Sequence, residues 1–574
     1  MKIEQATAAQ RAAIESRDPE IIVLAGPGAG KTATTVARIC RILSEGVEPS
    51  KIASLTFTNA GAGELQRRLP KKADGEPVEL GFCGTLHSFA LRMLKEYGAD
   101  FGYGERVAIV GPESAADLIA SKSASLGCKT PLKELLLLKQ AGRPPRTSKL
   151  TVEQTVLASY FDELRDAGIV DYDVLLTEFR EMLKVPSVRE AVAGRFLYLF
   201  VDEVQDSAPV DWEIYDLFPA GHKFLVGDSD QAIFSFRGGR VQEMLARAER
   251  PDFRLVKLEE NFRSCAEVCA AANNLIRNNV NRVPKETRSV SGAGGQVAIK
   301  EPFATEGGEI GWVAQEIKAL LEIGGPNGAP SVAVLSRTNA IAAAFRATLA
   351  ACKIPVVSRE VSGLPRDWNY ARSFVELLNA PENDALAFFY LIADFEQNGQ
   401  TPKRARELAH AARRDAASKG QSINSSLLKF GKFTSPELAL QALASQRVSK
   451  EAQALAVERY RDLPPGATML DFALSLAEVR ERVSEGKEDG AVHVLTGHGA
   501  KGMEFDAVFV VGCEDELYPG SREDPEESRR LLYVCLTRAR RLLYLTGCQT
   551  RMSPWRKSEA LKRNPSRFLK EIQL

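Results

Sequence analysis

Six short apolar runs punctuate the chain: Ile52–Phe57, Phe196–Val201, Phe224–Val226, Val332–Leu335, Ala507–Val511 and Leu542–Leu545. They are too short for helices that pack by one stripe. Continuous apolar character over so few residues predicts strands buried on both faces, as in a parallel sheet. The first five run straight into polar or Gly-containing segments. That is the pattern of a doubly wound α/β sheet, where ligands sit beyond the carboxyl ends of the strands. The runs fall in two groups, one before residue 285 and one after 330, and so predict two α/β units. Two stretches between strands read as helical. Residues 89–190 are rich in Leu, Ala, Lys and Glu, with turn signals at Gly142–Pro145. Residues 376–488 are similar, with ARELAHAARR at 405–414. Each interrupts a strand group, so each is read as an insertion. The Gly/Ser-rich segment Ser289–Gln296 is the expected linker. The expected division is a first unit of 1–88 and 191–288 with insertion 89–190, and a second of 289–375 and 489–574 with insertion 376–488. No internal repeat is evident.

A length of 574 residues exceeds what one core supports and agrees with several domains. The composition, 44% hydrophobic and 26% charged, is that of a soluble globular protein. No apolar run approaches the roughly 20 residues of a membrane span. The start, Met1-Lys2-Ile3-Glu4-Gln5, lacks the apolar stretch of a signal peptide, so a cytoplasmic protein is expected. Nine cysteines, an odd number, argue against a disulfide framework. Cys265 and Cys269 lie four apart with no histidine near them, which favours core packing over zinc. The formal net charge of zero gives no bulk sign of nucleic-acid binding but leaves room for a local basic groove.

Ala25-Gly26-Pro27-Gly28-Ala29-Gly30-Lys31-Thr32 follows the apolar run Ile21–Leu24 and precedes a helix-like stretch, Thr34 to Leu43. Strand, Gly-rich loop and helix in that order is what a phosphate-binding loop needs. Glycines let successive N–H groups face one anion, and the helix start adds a partial positive charge. Lys31 would reach the β- and γ-phosphates of ATP, and Thr32 would hold Mg²⁺. The strict pattern has Gly where this chain has Ala25. Next, Asp202 and Glu203 follow a buried strand. Acidic groups there call for a cation, with Asp202 as metal ligand and Glu203 as general base toward water. Gln231, after the strand ending at Val226, could orient that water. Arg263 and Arg538 could stabilise charge on the transferring phosphoryl group, although composition alone would not select them.

In order and over nearly the whole length, these residues resemble the superfamily 1A DNA helicases of the UvrD/Rep/PcrA type. Thr7-x-x-Gln10-x-x-Ala13 resembles the family's adenine-reading Q motif. Ala25–Thr32 resembles motif I, where the family itself usually has Ala. Leu55–Asn59 and Gly84–Ser88 resemble DNA-contacting motifs. Asp202–Asp206, Gly227–Gly238, Leu258–Ser264, Thr496–Phe505 and Glu526–Arg540 resemble the remaining helicase motifs, and Val334–Asn339 resembles the strand and turn that open the family's second motor domain. The resemblance implies two RecA-like P-loop motor domains, 1A and 2A, with helical insertions 1B and 2B. It implies that Arg263 and Arg538 are arginine fingers, that Phe262 stacks on adenine and that Glu504 meets the ribose. It implies single-stranded DNA across Phe57, Thr58, Asn59, His87, Phe234, Phe236, Arg237, Arg337, Asn339 and His498, with stepping 3′ to 5′.

The chain departs from the family pattern in several places. Phe234 and Phe236 stand where Tyr and Trp are common, and Phe262 where Tyr is common. Ala33 replaces an adenine-covering Arg, and Ala60 replaces a Lys. Both insertions are short, 2B especially. The expected function is an ATP- and Mg²⁺-dependent 3′–5′ DNA translocase or helicase on single-stranded and tailed duplex DNA, in repair or replication. The alternative is a DNA-stimulated ATPase subunit of a nuclease-containing repair or anti-phage complex, like the compact subunits of Gabija systems.

Overall fold

The computed structural model describes residues 5–572 except 71–77, 104–106, 146–148, 236–237, 324–329, 359–367, 380–383, 399, 401–403, 406–407, 410, 413–434, 447, 462, 464–468, 478–489, 521–523 and 553–559. In chain order the first strands are β1 (Glu20–Ala25), β2 (Ile52–Thr56), β3 (Phe82–Thr85), the short pair β4 (Ala108–Ile109) and β5 (Ile169–Val170), then β6 (Tyr198–Val201), β7 (His222–Gly227) and β8 (Arg254–Leu258). Six of them form one sheet in the order β3-β2-β6-β7-β1-β8, and every pairing in it is parallel. All five residues of β2 are buried, as both-face coverage by helices requires.

The second unit repeats this plan. The short strands β9 (Glu260–Asn261) and β10 (Arg288–Ser289) pair with each other. Then come β11 (Gln296–Ile299), β12 (Val332–Ser336), β13 (Val356–Ser358), β14 (Val492–Thr496), β15 (Phe505–Val510) and β16 (Ala539–Leu545). These six form an all-parallel sheet ordered β11-β16-β15-β12-β14-β13. The six apolar runs of the sequence all lie in the two sheets. Two parallel sheets with helical connections are the architecture of two RecA-like units. The last strand of the first sheet ends at Leu258 and the first strand of the second begins at Gln296, and the segment Ser289–Gln296 leads into that strand.

Between β3 and β6 the chain is mainly helical, from Leu86–Tyr97 to Pro186–Arg195. Helix starts there are capped by Thr85, Thr151 and Asp171. Phe89 packs against Phe179, Phe196 and Phe218 at ring distances of 5.7, 5.4 and 5.5 Å, so these helices share a core with the first sheet. A second helical group, Trp368–Asn379 to Met469–Ala477, has its own core around Trp368, Phe374, Leu443, Leu455 and Phe472.

One helix lies on the other side of the expected boundary. Ala266–Ile276 precedes residue 288, yet its buried face, Val268, Ala271, Ala272 and Leu275, joins the core of the second unit beside Leu531, Val534 and Leu543. Its apolar stripe is ordinary; only the tertiary structure says which sheet it covers. Cys265 and Cys269 are buried without a disulfide, as core packing predicted. Among the described residues, no helix is long and apolar enough to cross a membrane.

Candidate active site and nucleic-acid interface

The Gly-rich loop joins β1 to the helix Lys31–Ser44. Ala25 is the last residue of β1, buried and paired with Leu258 on β8, so its extended backbone accepts a side chain. Gly28 and Gly30 have φ of 68° and 76°, the left-handed region that a Cβ disfavours. At Gly28 space is also denied: a Cβ would lie 2.7 Å from Asn261 Oδ1 and from Arg263 Cβ. Asn261 ties the segment Asn261–Ser264 to the loop. Its Nδ2 donates to Pro27 O at 2.8 Å, while its Oδ1 accepts from the N–H groups of Arg263 and Ser264 at 2.7 Å. Gln10 braces the loop from the other side. Its Nε2 donates to Ala29 O at 3.0 Å and its Oε1 accepts from Thr7 N at 3.0 Å. Lys31 and Thr32 open the helix, both half-buried.

The acidic groups follow β6. Glu203 takes φ 56°, a strained conformation for a side-chain-bearing residue. Its carboxylate lies 3.1 Å from Lys31 Nζ and 3.9 Å from Lys501 Nζ. Desolvation opposes its ionisation, but Lys31 and Lys501 outweigh it and hold its pKa below the usual range. Asp202 goes the other way: desolvation and the neighbouring Glu203 raise its pKa, the mark of a carboxylate short of positive charge. For Lys31, burial is outweighed by Glu203, Asp202 and Asp228, and its pKa rises.

Gln231 and Arg538 meet across the junction of the units. Arg538 Nη2 donates to Gln231 Oε1 at 3.2 Å, and Gln231 Nε2 donates to Asp228 Oδ2 at 2.5 Å. Arg538 is fully buried, and its hydrogen bonds run to neutral oxygens of Val534, Met503, Gln231 and Thr537. Burial, and then repulsion from Arg263, push its pKa down to about 9. Arg263 Nε donates to Glu504 Oε2 at 2.5 Å, and Arg540 takes the other Glu504 oxygen at 2.6 Å. Phe262 is 46% exposed beside them. All six expected catalytic residues thus converge on one junction.

A row of rings crosses the same junction. Phe57, 40% exposed after β2, stacks on Phe234 at 5.9 Å and 16°. Phe234 in turn lies 6.1 Å from His498. The two units present the same local design. Thr56 Oγ1 donates to Thr58 O at 2.8 Å, and Thr58 caps the helix that begins at Asn59. Ser336 Oγ donates to Thr338 O at 3.0 Å, and Thr338 caps the helix that begins at Asn339. On the neighbouring strands, Thr85 pairs with Thr56 and Thr496 with Ser336, which sets His87 and His498 in equivalent places. The sequence carries this as Leu-Thr-Phe-Thr-Asn-Ala at 55–60 and Leu-Ser-Arg-Thr-Asn-Ala at 335–340, a repeat too short to stand out. Arg337 follows β12 at the position of Phe57. His87 packs edge-on against Tyr172 at 5.3 Å, and burial pushes its pKa down to about 4, so the ring is neutral at pH 7. Phe236 and Arg237 lie outside the described residues.

Several residues received no role from the sequence. Lys501 reaches Asp206 at 2.5 Å and Gln231 O at 3.1 Å, and lies 5.0 Å from the centre of the Phe234 ring. Asp228 and Asp230 are buried against Lys285 and Arg282. The signal that marked Asp202, an acid just beyond a buried strand, also marks Asp228. A separate cluster of Glu309, Glu514 and Cys548 is close enough to suggest a metal site, but Arg551 already bonds both carboxylates at 2.5 Å.

Residues 6–252 match the UvrD/REP helicase N-terminal domain, and residues 256–363 and 439–550 match the UvrD-like helicase C-terminal domain. The ATP-dependent DNA helicase PcrA of Staphylococcus epidermidis is 26% identical over 634 aligned positions, covering 98% of this chain and 86% of the relative. The protein of that name from Staphylococcus aureus is 25% identical over 637 positions, covering 98% and 85%. The two domain matches in sequence order, the two parallel sheets and the convergence at their junction have one reading: the chain belongs to the UvrD/Rep/PcrA family of ATP-dependent DNA helicases.

Proposed function

We propose that the chain hydrolyses ATP at the junction of its units and uses closure of that junction to step along single-stranded DNA, 3′ to 5′, opening duplex ahead of it. The observation that carries this reading is Lys501. One cation touches Asp206 and Gln231 in the hydrolytic cluster and the ring of Phe234 in the aromatic row. A movement at one site therefore reaches the other through a single side chain. The donor set fits a triphosphate: left-handed glycines open the loop, and the hydrogen bonds of buried Arg538 among the described residues go to neutral oxygens. Thr32 and the undercompensated Asp202 would hold Mg²⁺, which supplies positive charge to the phosphates. In this reading Lys31 grips the β- and γ-phosphates, Glu203 takes the proton of the attacking water, and Gln231 orients that water. Arg263 and Arg538 stabilise the transferring group. Ala25 to Gly30 wrap the phosphates, Gln10 and Phe262 serve the adenine end, and Glu504 serves the ribose. The stretches 89–190 and 376–488 are the insertions 1B and 2B.

Strand displacement tests this reading. With ATP and Mg²⁺, a duplex with a 3′ tail is expected to open and one with a 5′ tail to stay closed. Opening of the 5′-tailed duplex alone would reverse the polarity. One observation favours the second reading, an ATPase subunit working with a nuclease: the C-terminal family match is broken between residues 363 and 439, a gap that overlaps the first part of the stretch assigned to 2B. Strong DNA-stimulated hydrolysis with no displacement of either substrate would favour it.

The row Phe57–Phe234–His498 makes a separate prediction. Base–aromatic stacking contributes about 1–3 kcal/mol per ring and ignores sequence. Phe234→Ala is therefore expected to weaken oligonucleotide binding roughly 5- to 150-fold, equally for different base compositions. Fluorescence anisotropy with a labelled oligonucleotide reads this, and unchanged affinity would remove Phe234 from the path.

A further inference from the structure

The segment that joins the helix Ala266–Ile276 to β10 is held from both sides. Toward the first unit, Arg282 donates to both oxygens of Asp230, at 2.8 Å each. Lys285 Nζ lies 2.6 Å from Asp228 Oδ1 and also bonds Asp230. Toward the second unit, Glu526 accepts from the N–H of Val280 at 2.6 Å, and Arg530 donates to Asn281 O at 2.7 Å. Glu526 and Arg530 belong to the helix Pro525–Leu536, which ends two residues before Arg538.

The acids are fully buried, and the Lys285 side chain is 2% exposed. Burying ions this way is costly, and well-packed apolar residues are commonly as stable. Stability alone therefore does not account for the cluster, whereas its connections do. Asp228 Oδ1 takes Lys285, and Oδ2 takes Gln231 Nε2 at 2.5 Å. The backbone N–H of Asp228 donates to Gln205 Oε1 at 2.8 Å, and Gln205 Nε2 donates to Glu203. The other end of the Gln231 amide meets Arg538. A continuous path of bonds thus runs Lys285–Asp228–Gln231–Arg538. Both ends of the Gln231 side chain are fixed by it.

We propose that Lys285, supported by Arg282, is a positioning residue for ATP hydrolysis: it fixes Asp228, which orients Gln231, and the segment 279–285 carries movement of the helix Pro525–Leu536 to that amide. The inference rests on the roles given above to Gln231 and Arg538. It extends the hydrolytic machinery to a segment whose charged groups bond Asp228 and Asp230, with the Lys285 stem packed beside Gly26 of the loop. Lys285 acts without meeting the phosphates, so its loss slows turnover without weakening ATP binding.

The test is a double-mutant cycle in the full chain, with DNA-stimulated ATP hydrolysis as readout. Lys285→Met is expected to lower kcat about 10- to 100-fold while KM for ATP and oligonucleotide affinity move less than about threefold. Gln231→Ala is expected to be slow, and Lys285→Met/Gln231→Ala no slower than Gln231→Ala alone, because both act through one amide. Effects that multiply in the double variant, with a slow Gln231→Ala, would overturn the role of Lys285 and leave that of Gln231. Wild-type turnover in Gln231→Ala would overturn the underlying reading instead. If Lys285→Met does not fold, Asp228→Asn/Lys285→Met removes both charges together and carries the test. Wild-type turnover in that pair would overturn the proposal, and slow turnover with ordinary KM would support it.

Discussion

Lys31→Ala is expected to lower ATP turnover by at least about 10²–10³-fold, the usual loss when one preorganised donor to a charged transition state is removed. The structure gives two reasons to expect the upper end. Lys31 lies at the first turn of the helix Lys31–Ser44 and is the cation nearest Glu203, at 3.1 Å. Its ammonium is held charged by Glu203, Asp202 and Asp228 against the cost of burial. Removing it would take away the proposed phosphate contact and leave the acidic pair with Lys501, 3.9 Å from Glu203. The fold is expected to survive. The Lys31 side chain is 15% exposed and Glu203 is 29% exposed, so water can solvate the freed carboxylate. The melting temperature should stay within a few degrees of wild type, since Glu203 keeps Lys501 at 3.9 Å and the hydrogen bond from Gln205. Oligonucleotide affinity without nucleotide should change little, because Lys31 reaches the Phe57–Phe234–His498 row indirectly, through Glu203 and Lys501. Hydrolysis by phosphate release, melting and anisotropy read the three outcomes. Ordinary turnover would sink the phosphate-loop assignment.

Much of this site can be read from the sequence because its parts are local. A glycine that must take φ 68° leaves its mark at residue 28. An acid beyond a buried strand leaves its mark at residue 202. The interior strands are legible for a related reason: β2, β6 and β12 are covered on both faces and so are largely apolar, with buried Ser54 and Thr56 in β2 and buried Ser336 closing β12. Edge strands are not. β8 begins with exposed Arg254, and β11 has exposed ends, so neither forms an apolar run. β3 has four residues, one of them Gly84. What no local pattern carries is pairing at a distance. Arg263 meets Glu504 across 241 residues, and Lys285 meets Asp228 across 57. Each of these residues is an ordinary charge until the fold gives it a partner. The helix Ala266–Ile276 illustrates the same limit for packing. Its apolar stripe predicts burial but does not name the sheet it covers.

Arg538→Met is expected to lower turnover by roughly 10³–10⁵-fold, the range for loss of an arginine finger. It is also expected to leave the protein melting no lower than wild type. The two effects have one cause. The Arg538 guanidinium is fully buried and bonds neutral acceptors: the carbonyls of Val534 and Met503 at 3.0 and 3.2 Å, the Gln231 amide, and the Thr537 hydroxyl. Its pKa, pushed down to about 9 by burial and by Arg263, records that the charge is poorly compensated without an anion. A buried ion without a counter-ion destabilises the folded state, and methionine of similar length removes that cost at the expense of a few neutral hydrogen bonds. In the proposed role, stability is given up to keep a positive charge ready where negative charge develops in the reaction. The site is completed from the far unit: Arg538 follows the helix Pro525–Leu536, whereas Lys31 opens the helix beyond β1. KM for ATP should therefore change less than kcat in Arg538→Met. In wild type, a non-hydrolysable triphosphate analogue should raise the melting temperature by supplying the missing anion. That rise should be smaller in Arg538→Met, although the variant starts no lower. Differential scanning fluorimetry with and without the analogue measures both quantities. A variant that melts well below wild type without nucleotide, yet hydrolyses ATP at the normal rate, would show that Arg538 holds the core of the second unit and takes no part in phosphoryl transfer.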